Sequence, residues 1–351
     1  MGNDMDFSNQ LVSFDRRFAE QIYNTLEENH PQMKNFTRIQ HEKCVRDILF
    51  HLDFLNQAMA SKSPGFFRDY VLWSRVVIDS RDIADSVMQK FLQALAQTLS
   101  RFVAPNLVEE IQPYLSSASD ALINPPDASH ISFIVPSIPH YEEAKEYLAA
   151  VLGTERRAVL MKVQDFLQKG LALEEIYQDV FQPVQQEIGR LWQLNEIDVS
   201  ADHFATALSQ LGMVKMYPQI FTADRTGFRL VSACVSSEMH EMGIRMVNDF
   251  FKMAGWETYY LGANILPKDI VAAIEKYDAD LLALSITMSS QITQLRDFIA
   301  DIRKDIDRDI KILAGGYPFN VDPSAWQVIG ADGYASNEKS TIDTAFKLLT
   351  F

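Results

Sequence analysis

Apolar residues recur three and four positions apart along LVSFDRRFAEQIYNTL, CVRDILFHLDFLNQAM and VMQKFLQALAQTLSRFV, the spacing of one face of an α-helix. From about Phe7 to Ser116 this predicts a domain of four or five helices. Ser117 to Tyr141, SASDALINPPDASHISFIVPSIPHY, concentrates proline and serine, has no period and reads as a linker. A second helical block, Glu142 to about Ile220, is simplest as four helices, with RAVLMKVQDFLQKG, EEIYQDVFQPVQQEIGRLWQL and SADHFATALSQLGMVKMYPQIF its clearest members. Short apolar runs then alternate with amphipathic stretches: RLVSACVS, GIRMVNDFFKMAG, ETYYLG, PKDIVAAIEKY, DLLALSIT, TQLRDFIADIRK, IKILAGG, a short helix near Ala325, DGYAS and EKSTIDTAFKLL. Five strands interleaved with helices predict a doubly wound parallel sheet, so the fold class is all-α followed by α/β. The expected division is 1–116 helical domain, 117–141 linker, 142–224 four-helix bundle and 225–351 α/β domain.

Composition adds limits. The chain has 351 residues and a formal net charge of -15. Nucleic-acid binding rests on Lys and Arg neutralising phosphates, and no basic face interrupts this acidity, so direct DNA binding is not expected. The opening MGNDMDFSNQ lacks the charged-then-apolar layout of a signal, and no apolar run is long enough to span a bilayer, so a cytoplasmic protein is expected. Cys44 and Cys234 lie far apart in a helix and a strand, which argues for buried thiols over a zinc site or disulfide.

The candidate chemistry begins in SSEMHEMG, Ser236 to Gly243, the turn after the first strand. Turns at the carboxyl edge of an α/β sheet are where ligands bind. The chain reads Glu238-Met-His240-Glu-Met-Gly243, then forty-one residues to Ser285-Ile-Thr287 at the end of the third strand, then twenty-seven to Gly315-Gly316 at the end of the fourth. All three motifs therefore fall on one edge. His240 can ligate a metal through one ring nitrogen while the other donates to Glu238, which fixes the tautomer. The glycine pair lets a large ligand approach the backbone, Ser285 offers a hydroxyl, and Gly262 allows close approach after the second strand.

This run resembles the cobalamin-binding fingerprint of methionine synthase and its relatives, from Arg229 to the C-terminus. The resemblance implies a Rossmann-like domain in which His240 replaces the cofactor's benzimidazole on the lower face of cobalt, with the base threaded beside Ser285 and the glycines. Glu238 stands where methionine synthases have aspartate, and Thr287 where they often have leucine. The second helical block then sits where that family places a cap over the upper corrin face.

Within this block Trp192 is followed by nine residues and Asp202-His203, with Ser200 the expected N-cap of the second helix. The arrangement resembles the adenosylcobalamin-dependent light-responsive repressors of carotenoid genes, with Asp202 in place of glutamate. It implies that Trp192 packs on the adenosyl group and that His203 becomes the upper cobalt ligand after photolysis. The expectation is accordingly a cobalamin-dependent sensor, a photoreceptor holding adenosylcobalamin and signalling through a protein partner in transcription regulation. Photocobilins and cobalamin-binding antirepressors resemble the layout without a DNA-binding domain. A bilin, if bound, would sit non-covalently, and a homo-oligomer is possible through helical surfaces. The alternative is a corrinoid protein carrying methyl groups between methyltransferases, for which the Trp192–His203 set has no evident use. A binder that only stores cobalamin is a third reading.

Overall fold

The computed structural model describes residues 14–81, 86–125, 131–221, 224–335 and 338–350. The expected helical start at Phe7 lies outside them. They form two compact units: the N-terminal helices up to Pro126 with the short segment Met288–Thr293, and Asp127–Thr287 with Gln294–Phe351.

The first unit carries α1 (Arg16–Asn29), α2 (Arg38–Ala60), α3 (Pro64–Asp79), α4 (Val87–Phe102) and α5 (Pro105–Ile123). Local chemistry sets their starts. Asp15 accepts the Phe18 N–H at 3.0 Å, Thr37 and Gln40 form a reciprocal capping box, and prolines open α3 and α5, where an N–H would have no partner. Every third or fourth residue of α4, among them Met88, Phe91, Leu95 and Leu99, is buried. Two polar pairs complete this core: Thr25 against Thr98 at 3.0 Å, and His51 Nδ1 against the Tyr70 hydroxyl at 2.5 Å. Helix α5 runs on to Ile123, so part of the stretch read as a linker is helical, its serines and alanines continuing the buried face through Leu115, Ala118 and Leu122. Cys44 is half-buried and Cys234 buried.

The second unit opens with α6 (Tyr141–Leu152) and α7 (Arg156–Gln168). Then come α8 (Leu173–Glu175), a π-helical turn (Ile176–Phe181), α9 (Gln182–Gln193) and α10 (Val199–Ile220). The wide turn directly precedes Pro183, whose nitrogen cannot donate to the turn before it. Tyr147, Phe166, Tyr177, Phe181 and Met213 fill the bundle core, and Gly212 is needed there, because a Cβ would stand 2.6 Å from the Tyr147 hydroxyl.

The rest is β1 (Arg229–Val235), α11 (Met242–Met253), β2 (Glu257–Ile265), α12 (Pro267–Tyr277), β3 (Leu281–Ser285), α13 (Ile292–Asp305), β4 (Lys311–Gly315), α14 (Pro318–Val321), α15 (Ala325–Val328), β5 (Gly333–Tyr334) and α16 (Glu338–Thr350). The sheet is parallel with order β2-β1-β3-β4-β5. Its central strands are buried on both faces, which is why they read as unbroken apolar runs. The buried serine of β1, Ser232, donates to Asn248 of α11 at 3.0 Å. β5 is only two residues long, shorter than the expected DGYAS.

The bundle and the sheet share a core, since Met242, Met246 and Phe250 of α11 join the bundle's buried cluster. Polar contacts fasten the same face: the Tyr177 hydroxyl donates to Asp249 at 2.7 Å, and Arg245 to the Tyr217 hydroxyl at 3.1 Å. A helical bundle is thereby held over the carboxyl edge of the sheet.

Candidate cofactor site

Strand register assembles the site. Cys234, Ser285 and Gly315 pair across β1, β3 and β4, so the turns that follow these strands open side by side. The turn after β1 leaves the strand through Ser237, at φ 67, whose N–H is taken by the Asn264 side chain at 2.8 Å. Glu238 is thereby folded inward and is 1% exposed. One carboxylate oxygen accepts the His240 backbone N–H at 2.7 Å and faces ring Nδ1 at 2.6 Å, while the other accepts the Thr287 N–H at 2.6 Å.

Burial pushes the Glu238 carboxyl up, but these donors outweigh it and hold it below the ordinary carboxylate range. An ionised carboxylate makes Nδ1 the donor, and the same bond raises the imidazole's pKa. The lone pair of the neutral ring is then on Nε2, on a side chain that stays 66% exposed. A buried anion holding one edge of an exposed imidazole is a donor set suited to one axial metal bond of tuned basicity.

That ring borders a 960 Å³ cavity between the bundle and the sheet edge. Trp192, Asp202, His203, His240, Gly243, Ser285, Thr287, Gly315 and Gly316 all line it. Glu238 stands behind His240, and Gly262 packs against Glu241, with φ 89 and a Cβ position 3.4 Å from that carboxylate. Added Cβ atoms at Gly243 and Gly315 would meet open space, whereas at Gly316, φ 107, a Cβ would lie 1.8 Å from the Ile286 carbonyl oxygen. Gly316 is therefore demanded by the backbone itself, and its two neighbours in the motif leave room for a ligand.

On the bundle side, Trp192 lies next to the end of α9, and Asp202 and His203 near the start of α10. The N-cap is Asp198, which accepts the Ala201 N–H at 2.8 Å and is itself bonded by the Ser200 hydroxyl, so Ser200 is not the cap. Burial pushes the Asp202 carboxyl up, partly offset by His203 and His240. Several wall residues escaped the sequence reading. Gln182, Gln185, Gln186 and Gly189 recur at offsets of three, four and seven, a polar stripe of α9 that helical periodicity could have revealed. Tyr317, Asn320 and Tyr334 extend the cavity past β4.

Known proteins sharpen this picture. A family model described as B12 binding domain matches residues 228–342, and a second B12 binding domain matches residues 143–214. The two matched segments coincide with the sheet and with the helical bundle, so each is similar to a B12 binding domain. Dimethylamine corrinoid protein 1 of Methanosarcina acetivorans is 26% identical over 221 residues, covering 59% of this chain and 98% of that protein. A corrinoid protein of Desulfitobacterium hafniense is 22% identical over 210 residues, covering 58% and 96%. The solved monomethylamine corrinoid protein of Methanosarcina barkeri superposes with a TM-score of 0.52 at 19% identity, covering 60% of this chain and all of that one, and shows the same fold.

These relatives overturn the photoreceptor reading. Two are dimethylamine corrinoid proteins and one a corrinoid protein, each matched over nearly its whole length, and they favour the methyl-carrier alternative. The light-sensor expectation rested on the Trp192, Asp202 and His203 spacing. Two helix ends meeting above a cavity produce that spacing whatever the cavity holds. No helix among the described residues is long and apolar enough to cross a membrane.

Proposed function

We propose that this protein is a corrinoid methyl carrier that receives a methyl group from one methyltransferase partner and delivers it to another. The observation that carries the reading is the match to dimethylamine corrinoid proteins over 98% and 96% of their own lengths, joined to a cavity bordered by an exposed, carboxylate-held imidazole. A bound corrinoid would supply the cobalt atom that takes up and gives away the methyl group. In this reading residues 225–351 hold the cofactor from below and 142–224 cover it from above.

The roles of the chain's own residues follow from their contacts. His240 would be the lower axial ligand through Nε2, and Glu238 fixes its tautomer and orientation. Ser285, Thr287, Gly315 and Gly316 form the floor that admits the displaced base of the cofactor. Trp192, Asp202 and His203 form the opposite wall. They would narrow access to the upper face of a bound corrinoid and need not bind the metal.

The test is reconstitution of the full chain with hydroxocobalamin, followed by electron paramagnetic resonance of the cobalt(II) form. Hyperfine coupling to a protein nitrogen that disappears in His240→Ala is expected. After chemical reduction to the cobalt(I) form, the loaded protein should accept a methyl group from dimethylamine, with release of monomethylamine, when an alkylamine methyltransferase is supplied. Retention of cobalamin without any methyl uptake would overturn the carrier reading.

A further inference from the structure

One strongly bonded carboxylate beside the cavity has no part in the reading above. Glu241 follows His240 directly and stands at the start of α11, where its carbonyl accepts the Arg245 N–H. Its side chain reaches two other elements. One carboxylate oxygen accepts from Gln210 Nε2 of α10 at 2.8 Å, and the other from the Tyr260 hydroxyl of β2 at 2.7 Å. Burial and this carboxylate both push the Tyr260 phenol up, so it remains a donor. Gly262 has no side chain where one would crowd the carboxylate.

We propose that Glu241 is the positioning residue of the histidine turn, tying it to the cap helix α10 and the strand β2, so that the His240 ring meets a bound corrinoid at one fixed distance and angle. The geometry supports this through complementarity with Glu238. Glu238 fixes the ring against its own turn and against Thr287, and Asn264 of β2 and Gln294 of α13 hold the start of the turn at Ser236 and Ser237, which leaves the end of the turn, beyond His240, to be fixed. Glu241 bonds outside the turn in two further directions, and these divergent anchors fix the end of the turn where it enters α11. The bond to Gln210 also makes the ring's placement depend on where the cap lies. Displacement of α10 would remove one of the two anchors.

The inference rests on His240 being the axial ligand, and the test separates the two claims. In the apo full chain, hydrogen exchange of the segment containing residues 236–243 should be roughly tenfold faster in Glu241→Ala than in the parent. After reconstitution with hydroxocobalamin, Glu241→Ala should retain the cofactor roughly tenfold less tightly and show a mixed or weakened protein-nitrogen signal. Glu241→Gln should restore most of both readouts. Its carbonyl can accept from Tyr260 while its amide donates to a flipped Gln210. Unchanged exchange in Glu241→Ala would overturn the proposal, as would a Gln variant as impaired as the Ala variant. A parent protein lacking any protein-nitrogen signal would sink the axial-ligand reading alone, because the apo exchange still decides the role of Glu241. Should Glu241→Ala not fold, Tyr260→Phe and Gln210→Ala each remove one anchor and are read in the same way.

Discussion

Removing the Glu238 carboxylate tests the centre of the site most directly. In Glu238→Ala three short hydrogen bonds, at 2.7, 2.6 and 2.6 Å, vanish together. The imidazole is exposed and can turn to water, but the His240 and Thr287 N–H groups lose their acceptor in a place that is nearly closed. A buried donor without a partner costs about 1–3 kcal/mol, so the pair predicts a loss of about 2–4 kcal/mol once some water enters the space left behind. For a unit of this size that is a fall in melting temperature of roughly 5–12 °C. Loss of the group that orients a metal-binding histidine weakens metal affinity by about 10–100-fold, so cobalamin retention should fall by that factor. Glu238→Gln should fare little better. With its carbonyl toward His240, its amide confronts the Thr287 N–H, donor against donor. The assay is a thermal melt of the apo protein beside equilibrium dialysis of cobalamin. A Gln variant that melts with the parent and keeps its cobalamin would refute the argument that an ionised acceptor is required there.

Other expectations follow from the same contacts. Gly316→Ala should lower the melting temperature and abolish cobalamin retention, because its Cβ would overlap the Ile286 carbonyl oxygen; unchanged retention in dialysis would show that the turn can move aside. His51 is held by burial at a pKa of about 4, below its usual 6.5, so the unfolded chain takes up a proton in that interval that the folded chain does not. Stability present above pH 6.5 is lost as pH falls through about 4, and His51→Gln, which keeps a partner for Tyr70 without titrating, should flatten this slope in urea unfolding. Burial raises the Asp249 carboxyl above its usual 3.8, so its contribution is present below that value and is lost as pH rises through the folded pKa. Asp249→Asn, still able to accept from Tyr177, should match or exceed the parent's urea midpoint at pH 7, and a large drop would count against this reading.

The sheet was legible because its central strands are buried on both faces, so RLVSACV and LLALS announce themselves as unbroken apolar runs. The Glu238–His240 pair was legible because its two residues are neighbours in sequence and the turn between them is short. Glu241 was not: its partners lie thirty-one positions before it and nineteen after it, and only the packed structure brings them together. The cap of α10 was misplaced by two residues because Ser200 and Asp198 are both good capping types, and Ser200 instead donates to Asp198. The functional reading erred where a motif was only a spacing. Trp192 and His203 line the cavity, yet their separation describes how two helices meet and carries no information about light.

The main-chain overlap that any side chain at position 316 would suffer has a bearing on how such proteins diverge. That corner of the cavity is backbone set against backbone, so drift in the sequence cannot reshape it by small steps. On the corrinoid-carrier reading, adaptation to a cofactor with a different lower base would work through side chains of the same wall, Tyr317, Asn320 and Tyr334, while the glycine stays a fixed point among changing neighbours.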